Sequence, residues 1–175
     1  EKVLEMNTKP GVIDADGLNL LAKTGAWGIE QVRKNSSGYV LTPHMKEMSR
    51  LTGYSVQELK DNRRELLRNY TEKVHAVCVL KDSRTLTAAP DKELWINASG
   101  NAAMAKAGSG DVLAGMITGL MAQHMEAAYA AALGVYLHGL SGDHARKELG
   151  SYSVLAGDLL KMISRTLVEL EDRTR

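Results

Sequence analysis

The chain has 175 residues, 44% of them hydrophobic and 25% charged, and its 22 basic and 21 acidic side chains leave a net charge of +1. That balance supplies no global field for nucleic acid or a membrane surface, and no apolar run approaches the roughly 20 residues that a membrane helix needs. Length and apolar content suit one domain with a substantial core, without a visible signal peptide.

Glu1 to Asn7 read as the tail of a helix, and Lys9-Pro10-Gly11 breaks the chain after it. Val12 to Asp16 form a short buried strand ending in two acids, and Gly17 to Lys23 a short helix. Tyr39 to Thr42 make a second strand, stopped by Pro43. Residues 55 to 70 carry the clearest helical pattern: Ser55 and Glu58 form a capping box, and Val56, Leu59, Arg63, Leu66, Leu67 and Tyr70 recur at helical spacing, apolar except for Arg63. Val74 to Leu80 is the strongest strand, β-branched and apolar. Its single cysteine, Cys78, has no internal disulfide partner and fits a reducing cytoplasm. Thr85 to Ala89 and Leu94 to Asn97 follow as strands around a Pro90-Asp91 turn. Three helices complete the chain, at Asp111 to Gln123, Met125 to Lys147 and Ser153 to Leu170, and the Gly115/Gly119 pair in the first is expected to admit a close helix neighbour. Strands alternating with helices predict an α/β fold with a largely parallel sheet. In such sheets chemistry collects at the carboxyl ends of strands, where Asp14, Asp16, His44, Lys81 and Asn97 fall.

Gly108-Ser109-Gly110-Asp111 carries the most chemistry. Two glycines let a backbone approach a ligand closely, and the helix start behind them offers unpaired N–H groups to an anion such as phosphate, with Asp111 beside it. The same four residues equally describe a loop whose Ser109 or Asp111 only caps a helix. Asp14 and Asp16 are placed either to share a cation or to cap the next helix. In Thr42-Pro43-His44-Met45-Lys46-Glu47, His44 suits a substrate oxygen or phosphate and Glu47 a water-bridged Mg²⁺; alternatively Thr42 caps, Glu47 completes the cap and His44 is merely exposed. Lys81-Asp82-Ser83-Arg84-Thr85 suits nucleotide phosphates or ribose, or is a solvated turn. Lys106 is a further phosphate candidate with a surface role as default, His138 reads as a satisfied, partly buried side chain, and His75, His124 and His144 lack partners at zinc-ligand spacing.

Asp14-Ala15-Asp16-Gly17-Leu18-Asn19-Leu20-Leu21, Thr42-Pro43-His44-x-x-Glu47, Lys81-Asp82-x-x-Thr85, Asn97-x-x-Gly100-Asn101-x-x-Met104-Ala105 and Gly108-Ser109-Gly110-Asp111-Val112-Leu113-Ala114-Gly115 occur in this order. Together they resemble the ADP/ATP-dependent NAD(P)H-hydrate dehydratase family over residues 10 to 160. The resemblance implies a three-layer ribokinase-like domain, of which residues 1–175 are the C-terminal two-thirds. It implies a cytoplasmic repair enzyme for NADHX or NADPHX, the hydrated nicotinamide cofactors. ADP or ATP with Mg²⁺ phosphorylates the added hydroxyl, and loss of phosphate restores NADH or NADPH. Under the resemblance Asp111 is the general base, His44 and Asp111 contact the hydrate, and Lys81, Asp82, Ser83, Arg84, Thr85, Gly108, Ser109 and Gly110 hold the nucleotide. Glu47 matches the acid that helps organise Mg²⁺ through water, and Asn97 and Asn101 shape the loop. Family members form homo-oligomers, often tetramers, and some carry an epimerase domain.

Lys46 and Ala107 depart from the family's usual glycines. The family's N-terminal strands have no counterpart ahead of residue 1, and a truncated sheet exposes a hydrophobic edge, so the chain is expected to fold with further material. Two rival readings remain, a small-molecule kinase of the same fold and a noncatalytic nucleotide-binding fragment. His44, where such kinases carry Asn, favours the dehydratase.

Overall fold

Alternating burial along three strands sets the layering. The computed structural model describes residues 2–35 and 38–173, in which β1 (Gly11–Ile13), β2 (Tyr39–Leu41), β3 (Val77–Leu80), β4 (Leu86–Ala88) and β5 (Trp95–Ile96) form one sheet in that order. β1, β2 and β3 are parallel, while β3–β4 and β4–β5 are antiparallel. Linker length explains the change. Residues 81–85 and 89–94 are too short for a crossover and can only reverse the chain.

Tyr39, Leu41, Cys78 and Leu80 face a core filled by α2 (Asp16–Thr24), α3 (Ala26–Lys34), α4 (Met45–Thr52) and α5 (Val56–Val74), with α1 (Lys2–Met6) beside α3. The intervening Val40, Val77 and Val79 face Leu113, Ile117 and Met121 of α6 (Ser109–Ala122) and small residues of α7 (Ala127–Ser153). Period-two side-chain direction thus feeds both helix layers from the same strands. α8 (Ala156–Arg173) closes a third cluster around Ala103, Val112, Ala145, Val154 and Leu159. The α/β, three-layer reading holds, and no helix is long and apolar enough to cross a membrane among the described residues.

Several boundaries differ from the sequence reading. Val74 ends α5 rather than starting β3, because His75 takes a left-handed conformation (φ 51°) and turns the chain. α3 is absent from that reading: its start is set by Gly25 at φ 56°, and Gly28 sits where a Cβ would stand 2.7 Å from Leu21 Cδ1. α7 runs beyond Lys147 to a kink at Gly150.

The expected close approach at Gly115 and Gly119 is wrong. Both face open space, and close approach occurs on α7 instead. A Cβ on Gly134 would stand 2.7 Å from Ile117 Cγ1, and one on Gly139 would stand 2.8 Å from the carbonyl carbon of Ser99. At Gly139 the obstacle is backbone, which rotamer changes cannot relieve. Gly139→Ala is therefore expected to destabilise the fold by about 1–3 kcal/mol. Gly115→Ala should be neutral or stabilising by up to about 1 kcal/mol, since it only removes helical backbone freedom. Urea unfolding of both variants measures the contrast.

Candidate active site

Two chain reversals bring β5 back into line with β3, so Asp14, His44, Lys81 and Asn97 all leave the sheet at one end. Lys81 N–H donates to Pro43 O at 2.8 Å, and a His44–Lys81 bridge extends the parallel pairing beyond β2 and β3. The Lys81 side chain crosses the end of β2, a span of roughly two strand spacings or 10 Å, and its Nζ meets Asp14 Oδ1 at 2.7 Å. The two side chains are only 21% and 13% exposed, so the pair is less screened than a surface bridge. Asp14 is thus not the cap of α2: the N-cap is Ala15, at φ 47°, with no side-chain cap, while Asp16 lies exposed in the first turn.

The start of α6 lies over this pair. A Cβ on Gly110 would stand 3.3 Å from Lys81 Nζ and 3.7 Å from Asp14 Oδ2, so the turn packs directly on the pair and a larger residue would press on the lysine ammonium. Gly108 is the N-cap, left-handed at φ 86°, with no side-chain cap. Neither Ser109 nor Asp111 therefore caps the helix, and the capping reading of this turn fails. Ser109 N–H donates to Lys106 O at 3.2 Å, whereas the Gly110 and Asp111 N–H groups have no partner among the described residues. Asp111 is exposed, and its carboxylate makes no hydrogen bond or ion pair among the described residues. Bare N–H groups, the positive end of a helix dipole and a lysine ammonium converge on one small turn, which suits an anion. Lys106 points to solvent.

His44 replaces Thr42 as the expected cap. Its Nδ1 accepts from Lys46 N–H and Glu47 N–H, both at 3.1 Å, while Glu47 Oε2 accepts from His44 N–H at 2.8 Å. Thr42 is buried, with its hydroxyl 3.5 Å from Ile13 O. An accepting Nδ1 assigns the neutral ring's proton to Nε2, which lies 3.3 Å from Glu47 Oε1. His44 keeps 48% of its side chain exposed, and Glu47 is buried beneath it.

The 81–85 segment closes on itself. Ser83 N–H donates to Asp82 Oδ1 at 2.8 Å, Thr85 Oγ1 to Asp82 O at 3.2 Å, and Arg84 Nη1 to Ala98 O at 2.9 Å. Arg63, the polar interruption in the apolar stripe, reaches Asp82 Oδ2 at 3.3 Å from a point just after the break in α5 at Asn62. Asn97 and Asn101 shape the following loop: Asn97 Nδ2 donates to Ser99 O at 3.0 Å, and Asn101 Oδ1 accepts from Ala103 N–H at 3.0 Å. Asp143 on α7 holds that loop, accepting from Gly100 N–H at 2.9 Å and Asn101 Nδ2 at 2.8 Å. The sequence reading missed Arg63 and Asp143; the break in the Arg63 stripe and the Gly139-x-x-Gly142-Asp143 spacing were the available signals.

His138 meets the turn from α7, its Nε2 3.3 Å from Ser109 Oγ. Burial lowers its pKa to about 4, a backbone hydrogen bond to Ser109 opposes this, and the Lys81 charge lowers it further. No three His, Cys, Asp or Glu side chains among the described residues converge as a metal cage. The acids here fit Mg²⁺ only as it is usually held with a nucleotide, by phosphates, waters and one or two carboxylates. A cavity of about 720 Å³ opens at the other end of the sheet beside Tyr39, His75, Val77 and His124, and none of the residues at this site lines it.

Residues 1–165 match the family described as NAD(P)H-hydrate dehydratase. The chain is 44% identical over 164 residues to the bifunctional NAD(P)H-hydrate repair enzyme Nnr of Moorella thermoacetica, covering 93% of this chain and 30% of that protein. It superimposes with a TM-score of 0.72 on the ADP/ATP-dependent NAD(P)H-hydrate dehydratase of Bacillus subtilis, co-crystallised with ATP/Mg²⁺ and soaked with CoA, at 36% identity over 75% of this chain and 49% of that one. A ribokinase-like superfamily protein of Enterococcus faecalis aligns with a TM-score of 0.64 at 26% identity, over 94% of this chain and 64% of that one. The chain thus spans about a third to two-thirds of the length of these relatives.

A histidine lowered from 6.5 to about 4 stays neutral in the fold while the unfolded chain takes up a proton. Stability is then whole above pH 6.5 and falls as pH drops towards 4, by at most about 3 kcal/mol for this group. His138→Gln should lose correspondingly less stability between pH 7 and 4.5. Urea melts at both pH values measure it, and equal losses in both proteins would refute it.

Proposed function

The chain belongs to the NAD(P)H-hydrate dehydratase family, and from that premise we propose that the protein carrying it restores NADHX or NADPHX to NADH or NADPH at the expense of ADP or ATP. Residues 1–175 form a single ribokinase-like unit, equivalent to the C-terminal two-thirds of the family domain. The observation that carries this reading is the bare start of α6, seated on the Lys81–Asp14 pair with the exposed Asp111 carboxylate at its rim.

In this reading the nucleotide lies along Lys81, Asp82, Ser83, Arg84 and Thr85, with its reacting phosphate at Gly108, Ser109 and Gly110. The hydrate lies between His44 and Asp111, with its added hydroxyl directed at the carboxylate. Asp111 accepts the hydroxyl proton as the oxygen forms a bond to the terminal phosphorus. The bond from that phosphorus to the leaving nucleotide oxygen breaks, so ADP leaves as AMP. The Gly110 and Asp111 N–H groups stabilise charge on the transferred phosphoryl oxygens. Phosphate then departs with the C–O bonding pair, and loss of the neighbouring ring proton restores the double bond. Phosphate is a far better leaving group than hydroxide, which is the reason for the detour through phosphorylation. Mg²⁺ bound with the nucleotide would neutralise phosphate charge, and Glu47 would be the acid that orders its water.

We also place the protein in the cytoplasm as a homo-oligomer. The buried free thiol of Cys78 supports a reducing compartment, and the exposed Leu160, Leu167 and Val168, which share one stripe of α8, support a subunit contact.

The test incubates the full-length protein with NADHX, ADP or ATP, and Mg²⁺, and follows recovery of NADH absorbance. No recovery with either nucleotide overturns the proposal. Asp111→Asn should lower turnover by about 10²–10⁴-fold with ADP affinity nearly unchanged, as read by calorimetry. Turnover surviving within about tenfold would remove Asp111 as the base.

A further inference from the structure

The proposed chemistry leaves His138 unused, although the imidazole touches the turn on which that chemistry depends. Its Nε2 lies 3.3 Å from Ser109 Oγ, and that hydroxyl has no other partner among the described residues. Ser109 is 8% exposed, so little water competes for it. The serine's N–H is already committed to Lys106 O. Its side-chain direction is therefore set from α7 alone. The backbone beside the ring is fixed by close packing, since a Cβ on the next residue, Gly139, would stand 2.8 Å from the carbonyl carbon of Ser99. Nor is the ring a spare cation for a phosphate: burial and the neighbouring Lys81 ammonium keep it neutral.

We infer that His138 is a positioning residue that fixes the Ser109 hydroxyl and, through it, the pitch of the Gly110 and Asp111 N–H groups where a nucleotide phosphate binds. The inference rests on the proposed function only in taking that turn as the phosphate site. A ring that merely filled space between α6 and α7 would be replaceable by any side chain of similar volume. A positioning ring is replaceable only by one that presents nitrogen at the same place, and most of its effect is lost when the Ser109 hydroxyl is removed.

The experiment is a double-mutant cycle in the full-length protein, read as affinity for ADP with adenosine, which lacks phosphate, as the control. His138→Leu and Ser109→Ala should each weaken ADP by about tenfold, the size of one buried hydrogen bond, and move adenosine by less than about twofold. In the Ser109→Ala background His138→Leu should add less than about twofold. His138→Gln, whose amide nitrogen reaches the Nε2 position, should recover ADP affinity to within about threefold of the parent. If the Leu variant does not fold, His138→Asn, which cannot reach Ser109, takes its place in the cycle with the same expected values.

Single effects that multiply, equal losses for ADP and adenosine, or failure of the Gln variant to recover affinity overturn the inference. Coupling in a protein that binds ADP yet leaves NADHX unchanged overturns the dehydratase reading and supports the inference. Absence of coupling in a protein that dehydrates NADHX overturns the inference alone, and a parent protein that does not bind ADP overturns both.

Discussion

One ion pair organises the carboxyl end of the sheet. Lys81 leaves β3 and Asp14 leaves β1, with β2 between them, and they meet at 2.7 Å over its end. A partly buried pair of this kind holds only if both charges stay matched, since removal of either leaves an uncompensated charge. The backbone around it keeps it close and partly shielded. Pro43 and His44 pass underneath through backbone bonds to Lys81, and Gly110 closes over it without a side chain. The same ammonium that balances Asp14 is therefore the cation nearest the uncapped helix start. An arriving anion would meet a lysine already ordered by a carboxylate, so little side-chain freedom remains to be lost.

The second constraint is steric and runs along α7. Gly134, Gly139 and Gly142 bring α6, Ser99 and Met104 to distances that no Cβ would allow. Between and beside them stand His138 and Asp143, which hold Ser109 and the Gly100–Asn101 loop. One helix thus fixes the depth of the loop and the orientation of the turn after it. The turn itself carries two glycines and would be pliant alone. Its geometry is borrowed from the helix behind it.

Much of this was legible in the chain because the signals were local. β3 is a continuous apolar run, and the capping box at Ser55 and Glu58 forms as read, with Glu58 N–H donating to Ser55 Oγ at 3.2 Å and Ser55 N–H to Glu58 Oε2 at 2.8 Å. The strand-end placement of Asp14, His44 and Lys81 followed from the βα alternation. What escaped was non-local or chemically atypical. The Lys81–Asp14 contact spans 67 positions. His44 acts as an N-cap, a place usually taken by Ser, Thr, Asp or Asn, so Thr42 looked the better candidate. The Gly115/Gly119 pair showed that glycine spacing carries no information on which face of a helix has a neighbour.

The change of strand direction at β3 also bears on how the molecule assembles. β3, β4 and β5 are joined by residues 81–85 and 89–94, whereas β1 and β2 reach their partners only across residues 14–38 and 42–76. Short loops close at small entropic cost, and non-local parallel pairings form late. The Lys81–Thr85 turn therefore belongs to the early-forming part of the sheet, and Asp14 and His44 to the part that docks afterwards. The ion pair therefore ties a locally connected part of the sheet to a part whose pairings are non-local.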